Sequence, residues 1–532
     1  MKFPNSGCHK CLRQAIRWNE IGQVRTASYA SNPNAIYPLP PPARPSPPSV
    51  PSSSAKQPKQ ADTKPVVNNE IVSTLPKPRL DYRRIAEEQK AVTLNHILRN
   101  APCTPDTVFH ITRLYETSIS LHRKLDSVRA KQRDVGNLIK AGGGDEAVRQ
   151  AKKLKLKIVE YEKIWEETDK ELLELGLMLP NETHPATPVG KEKEAIELER
   201  FGPEPVAADK RRDHLDIATR WGWVDTAASA TASGTSWPYL KGHLALLEQA
   251  VIQYALSIAV KKGWTPIATP DVVKEDVMAR CGFQPRDGAG QTYYLSTTPP
   301  NSDPDAQPVT QSQANLVLAA TAEIPLAALS ANKIIPYQSL PLKYVGVGKA
   351  FRAEAGARGA DTRGLYRLHQ FQKIELFAVT EGEKQVSEGM MEEMREIQKE
   401  LYTSLGLSVR VLDMPTEELG APAYRKYDME AWMPGRDGWG EISSTSNCTD
   451  FQARRLHIRH RPRPDNTDST IPFAHTLNGT CAAIPRLLVA LLETGAVIGE
   501  DGEVTGLRLP VVLERFWIGG ESIDGKAAIQ WS

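Results

Sequence analysis

The clearest hydrophobic periodicity in the chain lies in residues 107–176, where one face repeats at steps of four and three. In the first half, the repeating positions are Leu114, Ser118, Leu121, Leu125, Val128, Gln132, Val135 and Ile139. After a glycine-rich turn that begins at Ala141, the positions are Ala151, Leu154, Ile158, Tyr161, Trp165, Thr168, Leu172 and Leu175. This spacing predicts two helices in an antiparallel coiled-coil hairpin, each on the order of 45 Å long.

Basic side chains populate the polar faces of both predicted helices. They are Arg123, Lys124, Arg129, Lys131, Arg133 and Lys140 on the first helix, and Lys152, Lys153, Lys155 and Lys157 on the second. A solvated coiled-coil surface and an arm that follows the phosphates of a nucleic acid explain this pattern equally well. A small domain does not need so long a projection for stability, which favours a device that reaches a partner.

The second half of the chain has a different pattern. Residues 180–240 are interrupted by Pro and Gly and are interpreted as a connector. Leu247, Val251, Tyr254 and Ile258 then mark one face of a long helix that ends at Lys261-Lys-Gly263, before an extended segment up to Pro270. Segments rich in strand-forming residues follow at 342–354, 366–380, 408–413, 426–433 and 440–450, with one helix near 381–405. This order predicts an α+β domain on an antiparallel sheet rather than a doubly wound fold.

The first 78 residues resemble neither region. Residues 1–30 carry five Lys and Arg residues against the single acid Glu20, and Leu12, Ile16 and Val24 can share one helical face. That composition is typical of a mitochondrial presequence, although a disordered basic tail is the alternative. The proline-rich stretch from Pro33 to Pro51 cannot form a helix, so residues 31–78 are predicted to be a disordered linker.

Bulk composition excludes several classes of protein. A net charge of +2 gives no global attraction to nucleic acid, so any RNA contact must come from local basic clusters. The six cysteines form neither a secreted disulfide framework nor a set with zinc spacing, so no zinc is predicted. No apolar run of about 18 residues occurs, so neither a transmembrane helix nor a membrane partner is expected.

A candidate nucleotide site lies around residues 351–375. Gly346-Val-Gly348-Lys349 lacks the spacing of a phosphate-binding loop and is interpreted as a strand segment. Arg352 and Glu354 stand two apart on a predicted strand, and Phe371 and Glu375 stand four apart on the next, so each pair is expected to share a face. Cations for phosphate, a ring for a base and carboxylates for amine or hydroxyl groups would together form a nucleotide and amino-acid site.

These residues belong to a longer stretch, FRAEAGARGADTRGLYRLHQFQKIE, that closely resembles motif 2 of seryl-tRNA synthetases. Thr321-Ala-Glu323, Glu441-Ile-Ser-Ser444 and His475 to Arg486 follow the same family's order, and the resemblance covers residues 80–520. It implies a class II synthetase antiparallel sheet with flanking helices, preceded by the coiled-coil domain. The implied domains are residues 79–195 for tRNA binding and 196–532 for catalysis, with motifs 1, 2 and 3 at about 243–270, 351–375 and 475–492.

The resemblance also implies roles for individual residues. ATP would be bound by Arg352, Ala353, Glu354, Leu368, His369, Gln370, Phe371, Glu441, Ile442, Ser443, Ser444 and Arg486, with Arg352, Arg486 and Glu441 as the catalytic set. Serine would be bound by Thr321, Ala322, Glu323, Arg352, Glu375, Asn478 and Thr480. Glu441 and Ser444 would hold Mg²⁺ with the ATP. The tRNA contacts would come from Arg123, Lys124, Arg129, Lys131, Arg133, Lys152, Lys153 and Lys155.

The expected activity is formation of seryl-adenylate from L-serine and ATP, followed by transfer of the seryl group to the 3′ end of tRNA-Ser. A homodimer in the mitochondrial matrix is expected, with a second cytoplasmic form left open. Two alternatives remain at this point: a catalytically silent relative that acts as an RNA-binding or structural protein, and a class II synthetase for another amino acid, such as threonine or proline. Cys481 and Pro485 stand where motif 3 usually has glycines, which leaves the loop geometry near Arg486 open. The polar expansions at 284–291, 298–309 and 461–471 have no functional interpretation.

Overall fold

A computed structural model describes residues 75–283, 292–295, 315–353, 364–465, 470–523 and 528–532. The predicted presequence, the linker up to residue 74 and the expansions at 284–291 and 298–309 lie outside these ranges, as do Glu354 and residues 466–469 of the third expansion. The described residues all fall within one compact unit, residues 69–532.

Twelve α-helices occur in the described residues. They are α1 (Tyr82–Glu87), α2 (Gln89–Leu98), α3 (Asp106–Lys140), α4 (Gly144–Leu177), α5 (His214–Arg220), α6 (Thr226–Ala232), α7 (Gly242–Lys261), α8 (Glu275–Arg280), α9 (Glu323–Ala328), α10 (Lys384–Ser404), α11 (Phe451–Leu456) and α12 (Ile484–Gly495).

The strands of the described residues are β1 (Ile196–Phe201), β2 (Val224–Asp225), β3 (Tyr239–Leu240), β4 (Thr265–Ala268), β5 (Val272–Lys274), β6 (Tyr294–Leu295), β7 (Leu316–Leu318), β8 (Ile334–Ile335), β9 (Leu342–Phe351), β10 (Gln370–Thr380), β11 (Val409–Asp413), β12 (Arg425–Met433), β13 (Gly438–Asn447), β14 (Arg459–His460), β15 (His475–Ala483), β16 (Ala496–Ile498), β17 (Val504–Leu509) and β18 (Ala528–Trp531).

The predicted coiled-coil hairpin is confirmed. Helices α3 and α4 pack against each other along their length, and Leu121, Leu125 and Ile158 of the predicted apolar seam are buried between them. The turn needs glycine, because Gly142 has a φ of +92° that other residues rarely adopt. The basic residues predicted to contact tRNA are exposed on the outer faces of both helices, and Arg129 also forms an ion pair with Glu162 across the hairpin.

The predicted antiparallel α+β domain is also confirmed. Its main sheet has eight strands in the order β1-β11-β12-β13-β15-β10-β9-β4. All its pairings are antiparallel except that between β4 and β9 at one edge. Strands β9 and β10 form the expected pair, with Phe351 opposite Gln370. The Gly346–Lys349 segment lies within β9, as the sequence analysis expected.

The connector interpretation of residues 180–240 was wrong for Ile196–Phe201. These residues form β1, the edge strand opposite β4, and they pair with β11. The strand has no alternation of buried and exposed positions, because most of its side chains face solvent at the edge of the sheet. Backbone pairing with β11 and the half-buried Phe201 hold it, and the alternation of Ile196 and Leu198 with Glu197 and Glu199 was the available signal for this strand.

The main hydrophobic core covers one face of this sheet. Leu247, Val251 and Ile258 of α7 lie in the same buried cluster as residues of α10, α12 and the sheet strands. Helix α7 has the length and hydropathy of a membrane-spanning helix, but burial in this cluster accounts for its apolar composition. On β10, Ile374 and Leu376 point into this core, so the alternating Phe371, Lys373 and Glu375 belong to the opposite face.

Candidate active site

Arg352 begins the candidate site directly after β9. The strand ends at Phe351, so Arg352 does not lie within a strand as predicted, although its backbone N–H donates to His369 O at 2.9 Å and continues the pairing with β10. The guanidinium lies 5.4 Å from the centre of the Phe371 ring, and its Nε donates to Ala320 O at 3.5 Å. Glu354, which was predicted to share a face with Arg352, lies outside the described ranges.

Two β-bulges bring further polar residues to the same face. On β13, Ser443 pairs with Met429 and Glu441 with Glu430, so Ile442 is the extra residue. On β15, Ala482 pairs with Ile374 and Thr480 with Glu375, which makes Cys481 the extra residue. An extra residue reverses the alternation of side chains. Glu441 and Ser444, three apart, therefore line one pocket, and so do Thr480 and Ala483.

Arg486 of α12 is held between β13 and Tyr366. Its Nη1 donates to the backbone carbonyl of Glu441 and to Glu441 Oε2, both at 3.0 Å. The guanidinium also lies 4.7 Å from the centre of the Tyr366 ring. Desolvation alone would raise the pKa of the Glu441 carboxyl, but the positive charges of Arg486 and Lys426 outweigh it and lower that pKa to about 2. Glu441 is therefore an anion at neutral pH.

A buried ion pair adjoins this pocket, with Lys373 in its lining and Glu375 behind it. Lys373 Nζ is 2.7 Å from Glu375 Oε2, and the Glu375 side chain is 1% exposed. The Thr321 hydroxyl donates to Glu375 Oε2 at 3.2 Å and lies 3.3 Å from Lys373 Nζ. The Thr321 hydroxyl also lies 3.4 Å from the Glu323 backbone N–H, next to the start of α9. Lys373 was not predicted as a site residue, although its position two residues from both Phe371 and Glu375 on one strand was an available signal.

A second carboxylate, Glu323, faces a larger cavity. Its Oε1 accepts from Gln452 Nε2 at 2.6 Å and from Asn478 Nδ2 at 3.1 Å. Burial, and then the nearby charge of Glu375, raises the pKa of Glu323 to about 7. Gln452 was not predicted as a site residue, because its contact with Glu323 joins two distant parts of the chain.

Lys426 and Asp428 of β12 add a further charged pair that the sequence analysis missed. Lys426 Nζ lies 2.7 Å from Asp428 Oδ2, and Lys426 lines the larger cavity together with Glu441. Burial raises the pKa of Asp428 to about 7. The second oxygen of Asp428, Oδ1, is buried and has no hydrogen-bond partner among the described residues. On a strand, residues two apart share a face, which was the available signal for this pair.

The predicted residues fall into three groups by position. Those lining an inner pocket of about 70 Å³ are Arg352, Leu368, Phe371, Glu441, Ser443, Ser444, Thr480 and Arg486. Glu323 and Asn478 line the adjoining cavity of about 830 Å³, which shares Arg352, Glu441, Ser444 and Arg486 with the pocket. Neither lining includes Thr321, Ala322, Ala353, His369, Gln370, Ile442 or Glu375.

The side chains of that last group have different surroundings. Ile442 is fully buried in the main core, so only its backbone can reach a ligand. The His369 ring stacks on Trp237 at 5.6 Å, and its Nδ1 lies 2.9 Å from both Tyr293 Oη and Arg352 O. Thr321 and Glu375 act from behind the pocket through Lys373, as described above.

Comparison with known proteins identifies the class of enzyme to which this fold belongs. A profile described as the tRNA synthetase class II core domain (G, H, P, S and T) matches residues 308–495. The antiparallel sheet and the cavity on its polar face thus define a class II aminoacyl-tRNA synthetase.

Individual relatives narrow this assignment. The mitochondrial serine–tRNA ligase of Schizosaccharomyces pombe is 40% identical over 430 residues, which cover 80% of this chain and 86% of that protein. The mitochondrial serine–tRNA ligase of Saccharomyces cerevisiae is 42% identical over 334 residues, 62% of this chain and 69% of that protein. The crystal structure of seryl-tRNA synthetase from Pyrococcus horikoshii complexed with ATP matches with a TM-score of 0.72 and 32% identity, covering 82% of this chain and 98% of that one. The chain therefore belongs to the serine–tRNA ligase family.

Proposed function

We propose that the cavity binds ATP and serine side by side, and that the chain, a serine–tRNA ligase, joins serine to the 3′ end of tRNA-Ser. The observation that best supports this proposal is that segments distant in the sequence converge on one face of the sheet. Arg352, Glu441, Thr480 and Arg486 line a single pocket, and Glu375 lies directly behind it in contact with Lys373. A surface ion-pair network would not require segments so far apart in sequence to meet in a cavity.

The first step follows from this arrangement. An oxygen of the serine carboxylate attacks the α-phosphorus of ATP, the bond to the β-phosphate oxygen breaks, and pyrophosphate leaves. Arg352, directly after β9, and Arg486, on α12, both line the pocket and stabilise the charge that develops on phosphate oxygens. Adenine is proposed to stack on Phe371. The protein contributes positioning and electrostatics rather than covalent chemistry.

Selection of serine is proposed to rest on the buried polar groups beside the phosphates. Glu323, Asn478 and Thr480 offer carboxylate, amide and hydroxyl partners to the ammonium and hydroxyl of serine, while Thr321 and Glu375 act from behind the pocket through Lys373. Alanine would leave such partners unpaired in a buried site, which can lower its use by about 10⁴-fold.

Glu441 and Ser444 fit a magnesium site. Mg²⁺ prefers oxygen ligands and is commonly held by one or two carboxylates together with substrate phosphates. The bulge at Ile442 turns both side chains to the pocket that would hold the phosphates, and Glu441 is ionised at neutral pH. When bound, the ion would neutralise charge on the departing pyrophosphate.

In the second step, a hydroxyl at the 3′ end of tRNA attacks the carbonyl carbon of seryl-adenylate, and AMP leaves. The α3–α4 hairpin is proposed to grip tRNA-Ser with its exposed basic residues. A homodimer is proposed through the motif 1 region, where β4 is an edge strand whose residues are mostly exposed. The exposed Val260 at the end of α7 lies next to this strand in sequence.

The mitochondrial matrix is the proposed location. Two relatives are mitochondrial ligases, and residues 1–30 have the composition of a presequence. A fusion of residues 1–40 to a fluorescent reporter is expected to enter mitochondria, and retention of the reporter in the cytosol would refute this part alone. Charging of both mitochondrial and cytosolic tRNA pools would support a second cytoplasmic form.

The decisive experiment is ATP–pyrophosphate exchange with single amino acids, followed by charging of tRNA with labelled serine. Exchange is expected with serine and not with alanine, threonine or proline. Exchange with threonine or proline would identify a different specificity. If no amino acid supports exchange while tRNA-Ser still binds, the chain is a silent relative and the proposed function is wrong.

A further inference from the structure

Glu493 is a fully buried carboxylate that the proposed mechanism does not use. It lies on α12, two helical turns after Arg486, and its side chain has no solvent exposure. Its Oε1 accepts from His214 Nδ1 at 2.8 Å and from the His214 backbone N–H at 3.4 Å. Its Oε2 accepts from the backbone N–H groups of Gly435 and Arg436 at 2.8 and 3.0 Å. The carboxylate thus ties together α12, the start of α5 and the β12–β13 turn.

His214 extends this connection towards the ATP pocket. Its Nε2 accepts from the Leu365 backbone N–H at 3.3 Å. Because Nε2 accepts, Nδ1 carries the proton and donates to Glu493, which fixes the neutral tautomer. The contact is close: a Cβ at Gly364, whose φ is +78°, would lie 2.3 Å from His214 Nε2. The ring therefore sets the backbone path where the described chain resumes after residue 363.

Leu365 and Tyr366 line the inner pocket, and Tyr366 contacts the catalytic groups. The Arg436 and Arg486 guanidinium groups lie 4.1 and 4.7 Å from the centre of its ring. Its carbonyl accepts from Arg486 Nε at 3.4 Å, and its hydroxyl accepts from the Glu441 backbone N–H at 3.2 Å. The position of Tyr366 thus affects both Arg486 and Glu441.

We propose that His214 and Glu493 form a positioning pair for ATP binding, which acts by holding the Leu365–Tyr366 backbone so that Tyr366 orients Arg486 in the pocket. The proposal rests on the proposed function, since it assigns the pocket to ATP. Neither side chain lines the pocket, so the pair acts only through the residues that do.

Two substitutions of His214 separate its two hydrogen bonds. The amide of His214→Asn reaches as far as Nδ1 and can donate to Glu493, but it leaves the Leu365 N–H without an acceptor. The amide of His214→Gln reaches as far as Nε2 and can accept from Leu365, but it loses Glu493. Each variant loses one buried hydrogen bond, so both are expected to lower Tm by similar amounts. Only His214→Asn is expected to weaken ATP binding, by about fivefold or more in Kd and KM.

Glu493→Gln is an independent test of the proposal, and it can replace His214→Asn if that variant does not fold. Its amide can face His214 Nδ1, which favours the other tautomer, with a proton on Nε2 pointing at the Leu365 N–H. It is therefore expected to weaken ATP binding as His214→Asn does. His96→Gln is the matched control, because His96 is buried in α2, contacts Cys103 O and does not line the inner pocket. It is expected to lower Tm and leave the Kd for ATP unchanged.

Titration calorimetry with ATP is the primary readout, and the KM for ATP in serine-dependent exchange is the second. The direct titration tests the pair even if the parent enzyme fails to activate serine, so the two proposals can fail separately. Equal ATP affinity in His214→Asn, His214→Gln and the parent, with lowered Tm in both variants, would show a structural role only and overturn the proposal.

Discussion

Replacement of Lys373 by methionine tests whether the buried ion pair behind the pocket has the electrostatics inferred for it. Lys373 Nζ and Glu375 Oε2 are 2.7 Å apart, with side-chain exposures of 11% and 1%. Methionine retains much of the length and apolar volume of the lysine stem but removes the charge. Glu375 would then be buried without its cation, and among the described residues it would keep the hydrogen bond from the Thr321 hydroxyl at 3.2 Å. Loss of one partner of a buried pair costs about 3–5 kcal/mol.

The double variant Lys373→Met/Glu375→Gln supplies the internal control. It removes both charges, so it is expected to be more stable than the single variant even though it carries one more substitution. Lys343→Met is the matched external control. Lys343 pairs with Glu393 at 2.8 Å, but both side chains are more exposed, so the expected loss is at most about 1 kcal/mol.

Urea unfolding followed by circular dichroism at constant pH compares the four proteins. The expected order of midpoints is parent and Lys343→Met, then the double variant, then Lys373→Met. A single variant as stable as the double variant would mean that Glu375 is well solvated without its lysine. The inference of a dry, charge-paired wall behind the pocket would then be wrong.

Three further outcomes are expected. Arg486→Ala should lower the rate of serine-dependent ATP–pyrophosphate exchange by about 10²–10³, as removal of one group that stabilises a developing charge usually does, and unchanged exchange would remove Arg486 from the mechanism. Burial and a neighbouring carboxylate raise the pKa of Glu323 to about 7. The contribution of Glu323 to the stability of the ligand-free enzyme is therefore complete below about pH 4.5 and is lost as the pH rises through 7. Serine binding depends on pH in the opposite direction, because the ammonium of serine needs the ionised Glu323 carboxylate. The KM for serine at pH 6 should thus be about tenfold that at pH 8, and Glu323→Gln should abolish this dependence. Charge reversal of Lys152, Lys153 and Lys155 together should lower kcat/KM for tRNA by about tenfold or more and leave amino-acid activation unchanged, and equal charging by variant and parent would show that the arm is only a solvated surface.

Much of the fold could be predicted because local periodicity determines it. The four- and three-residue steps through Leu121 and Leu125 require a helical seam, and the glycines after Ala141 end the first helix. The strand pair around Arg352 was predictable for a similar reason, since two β-rich segments flank a short loop. By contrast, β1 was missed although Ile196 and Leu198 alternate with glutamates, because the segment is only six residues long and lies within a stretch interrupted by Pro and Gly.

The residues of the candidate site could be predicted from the sequence better than their arrangement in space. The family motifs identified Arg352, Glu441 and Arg486, but they did not show which other charges would surround these residues. Lys373, Lys426 and Asp428 stand at ordinary strand positions, and their importance arises only when β10 and β12 face the same cavity. The pKa of Glu441 illustrates this, because Lys426 contributes to lowering it from another strand.

The two bulges explain why a regular strand pattern could not have located the site. With strict alternation, Glu441 and Ser444 would point to opposite faces, and so would Thr480 and Ala483. The extra residues Ile442 and Cys481 reverse the alternation within β13 and β15, so that residues on both sides of each bulge face the cavity. The side chains of Ile442 and Cys481 themselves lie in the main core. Both inserted residues are apolar and fully buried, so hydrophobic packing on one face anchors the irregularity that the chemistry on the other face requires. The arrangement of the pocket is therefore a property of the register between strands, which depends on partners distant in sequence.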